Sequence, residues 1–305
     1  MSVAIRIIRI TNSFVNMFVL TIIFLLLIFG SYAIWDSNQV YSAASAVNYE
    51  IYRPSLESET TSFADLQIIN PDVFSWLTVY GTNIDYPVVQ GQDNIRYVNT
   101  DVKGKHSLSG AIFLDSRNSP NFSDFSNIVY GHHMENQVMF GEIELFANKS
   151  YFDARRYGML YFEGQEHGLE FFAFVHTDAY DTTIFRVGIT EAEDKQEYLD
   201  MLLQKASHVR TDVSVTIDDQ IVLLATCSSD STNGRDILIG RITSEVQADS
   251  FRTETVRNVT PIQVIDNLPH LWAGLGLWMQ IAIVTPAFLL IVLAIALIYR
   301  KRQRR

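Results

Sequence analysis

The sequence predicts an all-β barrel carried between two membrane-spanning helices. Three observations lead there. Two long uncharged apolar runs lie near the ends of the 305-residue chain, many short apolar strands separated by Gly, Asn, Asp and Pro turns fill the middle, and only two helical patterns interrupt those strands.

The first apolar run, Phe14 to Ile34, is dominated by Phe, Val, Leu and Ile and follows Arg6 and Arg9. At about 1.5 Å per residue it is long enough to cross a hydrocarbon layer of roughly 30 Å. No small-residue cleavage site follows it directly, although Ala43-Ala44-Ser45-Ala46 lies further on, so an uncleaved signal anchor is expected. The second run, Leu271 to Tyr299, contains Pro286, which membrane helices tolerate, and ends in Arg300-Lys301-Arg302-Gln303-Arg304-Arg305. Basic clusters on the outer-terminal side of both runs place both termini in the cytoplasm and residues 36–270 outside. The expected division is a cytoplasmic N-terminus (1–13), a transmembrane anchor (14–34), an extracellular stalk with a short helical segment (35–66), the barrel (67–248), a polar connector (249–270), a second transmembrane helix (271–299) and a basic tail (300–305).

Charge follows the same division. Seven of the 23 basic residues lie in the terminal segments, leaving 16 against all 34 acidic ones in the middle, a net charge near −18. Such a domain is excluded as a nucleic-acid binder, because phosphate contacts need clustered Lys and Arg.

Within the outer domain the strand candidates are Phe74 to Val79, Tyr86 to Gln90, Ala111 to Leu114, Ile128 to Tyr130, Met159 to Glu163, Leu169 to Thr177, Gln220 to Thr226 and Asp236 to Ile242. Short strands at this spacing point to a closed or nearly closed barrel. Phe140 to Phe146 has a short amphipathic pattern. Ala192 to Ala206 gathers Tyr198, Leu199, Leu202 and Leu203 on one side, with Thr190 as the expected N-cap and Glu193 completing a capping box.

Cys227 is the lone cysteine, so no intramolecular disulfide forms; a buried hydrophobe, an intermolecular crosslink or a nucleophile remain. It ends the strand pattern Ile221 to Cys227 just before a polar loop, which puts the thiol at the rim of a sheet. A reduced thiol outside the cytoplasm is a liability in an oxidising compartment, which favours retention for chemistry. His132 follows another strand and Arg235 opens a third. Thiolate attack, proton transfer to a leaving amine and oxyanion binding call for these three residue types. Spacing alone does not bring them together. His132 and His133 are adjacent and no other His or Cys falls at zinc-finger spacing, so no metal site is expected. Arg241, the competing guanidinium, lies at the far end of its strand, roughly 20 Å away at about 3.3 Å per residue.

Ile84-Asp85-Tyr86-Pro87-Val88-Val89-Gln90, Asp93-Asn94-Ile95-Arg96-Tyr97, Gly110-Ala111-Ile112-Phe113-Leu114-Asp115, Tyr130-Gly131-His132-His133-Met134, Met139-Phe140-Gly141 and Ala225-Thr226-Cys227 with Arg235 occur in an order that resembles a bacterial sortase, most of all class B. The likeness runs from about Trp76 to Ile242. It implies a cysteine transpeptidase on an eight-stranded sortase barrel with short helices, at the surface of a Gram-positive bacterium, with no cofactor. By the resemblance Cys227 is the nucleophile, His132 the general acid/base and Arg235 the oxyanion and substrate ligand. His133 takes no catalytic role, and Asp115 is not required as a triad carboxylate.

Residues 181–206 resemble the helical insertion of class B enzymes that helps form the substrate groove, which makes Thr182, Thr183, Ile184 and Phe185 candidate walls; a plain apolar anchor for the insertion is the alternative. Asn94 and Val98 resemble the opposite wall, and Thr226 and Ser228 flank the nucleophile. The implied substrates are surface or pilin proteins with a C-terminal Asn-Pro-x-Thr-(Gly/Asn/Ser)-like signal, cleaved after Thr. The acceptor is an amine of a peptidoglycan precursor such as lipid II, or a pilin lysine. A carboxy-terminal span is more typical of class C, yet residues 36–66 lack the Asp-Pro of the class C lid, so class B is retained. The rival readings are a two-span scaffold with an inert thiol and a cysteine peptidase that transfers to water.

Overall fold

A computed structural model describes residues 3–54, 62–227 and 233–251. The expected span at 271–299, the connector beyond Phe251 and Ser228 lie outside the described residues.

Helix α1 (Val3–Ala44) takes in the first apolar run and is, among the described residues, the one helix long and apolar enough to cross a membrane. It continues helical about one run of ten residues past the expected span. A separate compact unit begins at Ala43.

In that unit the strands are β1 (Val73–Val79), β2 (Asp85–Val89), β3 (Ile112–Leu114), β4 (Ser126–Tyr130), β5 (Tyr157–Phe162), β6 (Gln165–Asp178), β7 (His208–Val209), β8 (Ile221–Cys227) and β9 (Gly234–Thr243). They pair in the order β5-β1-β2-β3-β4-β8-β9-β6, and a β5–β6 pairing closes the circle into an eight-stranded barrel, with β7 added outside it on β6. Closure leaves those eight strands without a free edge. Two pairings are parallel, β2 with β3 and β4 with β8; the others are antiparallel.

Strand β8 shows why the pattern reads as one apolar run. Val222 and Leu224 join an apolar cluster with Trp76, Phe174 and Leu238, whereas Ile221, Leu223 and Ala225 join a second one with Tyr198, Leu199 and Leu202. Successive side chains point to opposite faces, and both faces are covered. The second cover is helix α4 (Ala192–Lys205), inserted between β6 and β7. Its N-cap is Glu191, without a side-chain cap, rather than Thr190, whose hydroxyl lies 3.5 Å from Glu191 Oε1. Glu193 and Asp194 in the first turn favour the positive end of the helix dipole instead.

The expected helix at 140–146 is a 3₁₀ segment over Ile143–Ala147, followed by a short helix α3 (Lys149–Ala154). Asn148 starts α3 by accepting from the Ser150 and Tyr151 amides at 2.9 and 3.2 Å. Of the segment expected to be a stalk, the part from Ala44 to Arg53 packs onto the barrel. Tyr86 donates its hydroxyl to the Ala44 carbonyl at 3.1 Å, Tyr49 packs edge-on against Tyr86, and Arg53 pairs with Asp85 at 2.7 Å. Helix α2 (Ser62–Ile69) leads into β1.

Candidate active site

The parallel pairing of β4 and β8 sets Tyr130 beside Ala225, and the Gly131 amide extends it by donating to the Ala225 carbonyl at 3.2 Å. His132 lies two residues past the first member of that pair and Cys227 two residues past the second. Neighbouring strands are about 4.8 Å apart, so the chain segments carrying the imidazole and the thiol leave the same barrel end side by side. On the other side of β8, Cys227 is in register with Arg235 of β9. Three positions far apart in the chain thus meet through two strand pairings.

His132 is half-buried, and its Nε2 lies 2.8 Å from the Val98 carbonyl. A carbonyl only accepts, so Nε2 carries the proton and Nδ1 is the nitrogen left for proton exchange. The Val98 carbonyl is itself fixed by close packing. Gly110, at φ +59°, lets the chain pass so near that an added Cβ would stand 2.6 Å from it. Arg235 is half-buried, and its Nη1 donates to the Gly234 carbonyl at 2.8 Å, which fixes one side of the guanidinium.

His132, Thr226 and Arg235 line a cleft of about 770 Å³. Asn94 and Val98 contribute to it from one segment, and Thr182, Phe185, Arg186 and Val187 from the insertion ahead of α4. Asn94 is held by accepting from the Ser116 amide at 2.7 Å. An aromatic row crosses the cleft lining: Phe113 and Tyr130 have ring centroids 5.3 Å apart, and Tyr130 and Phe185 6.3 Å. The lining thus combines this apolar row with polar and cationic groups, Asn94, Arg117, Thr182, Arg186, His132 and Arg235.

Thr183 departs from expectation. It is exposed, does not line the cleft, and its hydroxyl donates to Asp181 Oδ1 at 2.5 Å while Lys205 approaches at 3.1 Å. Residues 182–184 form a turn, closed by the Ile184 amide donating to the Asp181 carbonyl at 3.2 Å, and this turn brings Thr182 to the cleft while Thr183 folds back on Asp181. Ile184 is fully buried against the Tyr198 hydroxyl, which donates to its carbonyl, and so anchors the insertion. Thr226 is buried, and its hydroxyl has no hydrogen-bond partner among the described residues. His133 is away from the cleft, with Nε2 3.0 Å from Glu144 Oε2.

Asp115 is wholly buried and serves Arg117 and Tyr130. Arg117 donates to both of its oxygens, at 2.9 and 2.7 Å, and the Tyr130 hydroxyl donates at 3.1 Å. Burial acts to raise the Asp115 carboxyl, but the hydrogen bonds and charge of Arg117 outweigh it and hold the group below its ordinary value. Burial pushes the Tyr130 phenol up, so it stays a donor. Arg117, Tyr130, Arg186 and Val187 are cleft residues that sequence reasoning did not select. Tyr130 carried a signal, its place in the Tyr-Gly-His run; an isolated Arg such as Arg186 carries none until the fold places it.

No family model matches the chain. It is 30% identical over 209 residues to sortase B of Staphylococcus aureus, covering 67% of this chain and 81% of that one. The fold matches the structure of sortase B from the type II pilus of Streptococcus pneumoniae with a TM-score of 0.53 and 48% identity, over 60% of this chain and 99% of that one. It also matches a Streptococcus pyogenes class B sortase involved in pilus biogenesis, with a TM-score of 0.54 and 42% identity, over 59% and 97% of the two chains.

Proposed function

The chain belongs to the class B sortases, which are cysteine transpeptidases, and from that membership we propose that Cys227 attacks the Thr carbonyl of an Asn-Pro-x-Thr-(Gly/Asn/Ser)-like sorting signal. The thiolate sulfur bonds to the carbonyl carbon, and the electron pair moves onto oxygen, where the Arg235 guanidinium stabilises it. Collapse breaks the peptide bond as His132 gives a proton to the leaving amine, leaving a thioester on Cys227. An acceptor amine then adds to the thioester, His132 takes its proton, and the thiolate departs from a new amide.

The observation that carries this reading is the double register that sets Cys227 against Arg235 and beside the segment holding His132. The remaining substrate contacts of the proposal come from Asn94, Val98, Thr182, Phe185 and Thr226, with Ser228 following the nucleophile. A fluorogenic sorting peptide, assayed with and without an added amine, tests the reading. Cys227→Ala is expected to abolish both hydrolysis and transfer, and retained turnover refutes the assignment. Product formed only with water, whatever amine is added, identifies a peptidase instead.

Two acceptors fit this chemistry, an amine of the cell-wall precursor lipid II and a pilin lysine. The lysine reading is favoured by the likeness to two pilus sortases at 48% and 42% identity, against 30% for the staphylococcal enzyme. Competition between a glycine-amine acceptor and a lysine-bearing protein, read by mass spectrometry, decides between them. We further propose a two-span arrangement in a Gram-positive cell membrane, with both termini cytoplasmic and the barrel outside, which reporter fusions at each terminus test.

A further inference from the structure

The cleft is a cationic site in an anionic domain. Arg117, Arg186, Arg235 and His132 line it, and among the described residues no Asp or Glu does. In the outer domain as a whole acidic residues outnumber basic ones by about two to one, 34 against 16.

The three guanidinium groups are not equivalent. Arg117 is neutralised by its two-point pair with Asp115. Arg235 is tethered to the Gly234 carbonyl and stands in register with Cys227, where the reaction places its own developing charge. Arg186 has no ion-pair partner among the described residues, although the insertion is rich in carboxylates. Asp181 is held by Lys205, Thr177 and Thr183, Asp178 accepts from the Tyr180 amide, and Glu191 lies 3.5 Å from the Thr190 hydroxyl. A half-buried guanidinium left without a partner in a peptide-binding cleft is a site prepared for an anion that arrives with the substrate.

We infer that the preferred sorting peptide carries a carboxylate and that Arg186 is the specificity-determining residue that reads it. The inference rests on the Thr-directed cleavage proposed above and deepens it, since the Asn-Pro-x-Thr frame by itself names no charge. The like-charged surface around the cleft adds discrimination, because an acidic peptide gains only where the guanidinium meets it.

The test is a peptide library with Pro-x-Thr fixed, and x together with the flanking positions randomised, digested by the enzyme and read by mass spectrometry. Asp and Glu are expected to be enriched among the cleaved peptides. The best acidic peptide should exceed its Gln or Asn isostere in kcat/KM by about tenfold or more, the value of one charge-assisted hydrogen bond in a partly desolvated site. That ratio should fall to near one in Arg186→Gln. Arg186→Glu should cleave a Lys-bearing peptide faster than the wild type does, a gain that a misfolded variant cannot give. Cleavage without acidic enrichment, or enrichment that survives in Arg186→Gln, overturns this inference alone. Absence of any cleavage after Thr overturns the parent reading, and this one with it.

Discussion

The Val98 carbonyl and the His132 imidazole are joined by a 2.8 Å hydrogen bond that puts the proton on Nε2 and leaves Nδ1 for the proton transfer proposed above. The bond is made by a backbone atom, so no change of the Val98 side chain removes it. Gly110→Ala does: its methyl would sit 2.5 Å from the Tyr97 carbonyl and 2.6 Å from that of Val98, at a φ of +59° that Ala adopts poorly. We expect kcat to fall about 10–100-fold with KM little changed, the cost of misplacing a catalytic group by a fraction of an ångström. His132→Ala should lose about 10²–10⁴-fold. A Gly110→Ala enzyme with wild-type kcat would show that the carbonyl does not set the ring.

A comparison of Arg235 with Arg241 tests the oxyanion role proposed for Arg235. Arg241 donates twice to Glu170 Oε2, at 3.0 and 2.7 Å, and Arg156 joins the same carboxylate. Arg235→Ala should lower kcat by about 10²–10³-fold with a near-native melting temperature. Arg241→Ala should instead lower the melting temperature by a few degrees, as the Glu170 carboxylate loses one of its partners. Equal loss of activity in the two variants would contradict the assignment of Arg235.

Asp115 links the cleft to acid stability. Its carboxyl is held below the ordinary 3.8, so the stabilisation it brings is present above that value and drains away as pH falls through the lower folded-state value. Asp115→Asn should therefore be less stable than wild type near neutrality, by about 1–2 kcal/mol after allowing for solvent screening of Arg117, whose side chain is 55% exposed. The gap should narrow below about pH 4. Denaturant melts at a series of pH values provide the check; a gap constant down to pH 2 would mean that the carboxylate charge is not what stabilises.

Tyr198 tests whether the insertion acts as a substrate wall. Its hydroxyl is buried, donates to the Ile184 carbonyl at 2.5 Å and lies 3.2 Å from Ser126 Oγ, and burial pushes its pKa up to about 12. Tyr198→Phe leaves that carbonyl without its donor and frees the segment carrying Thr182, Phe185 and Arg186. KM should rise about threefold to tenfold with a smaller change in kcat, for a loss of about 1–2 kcal/mol. An unchanged KM with full destabilisation would reduce Tyr198 to a packing residue.

Much of the barrel was legible because both faces of its strands are covered. Ile221 to Ala225 reads as a continuous apolar run for that reason, and its observed limits fall within one residue of the expected ones. What escaped was either very short or non-local. Strand β7 has two residues and no pattern of its own, and α3 starts on Asn148, a cap that looks like any loop Asn until Ser150 and Tyr151 point at it. Thr190 with Glu193 had the letters of a capping box, but the chain turns into the helix one residue later. The strand-end positions of His132, Cys227 and Arg235 were readable from local pattern. That β4 runs parallel to β8 was not, because the pairing joins segments about ninety residues apart.

That parallel pair also makes the design modular. Because Tyr130 and Ala225 are paired in register, the spacing of the chain segments leading to His132 and Cys227 is set by the sheet, whereas Thr182, Phe185, Arg186 and Val187 reach the cleft from outside that pairing. Exchanging those four positions, with Ile184 and the buried face of α4 kept, is therefore expected to change peptide preference without moving the proposed reaction centre.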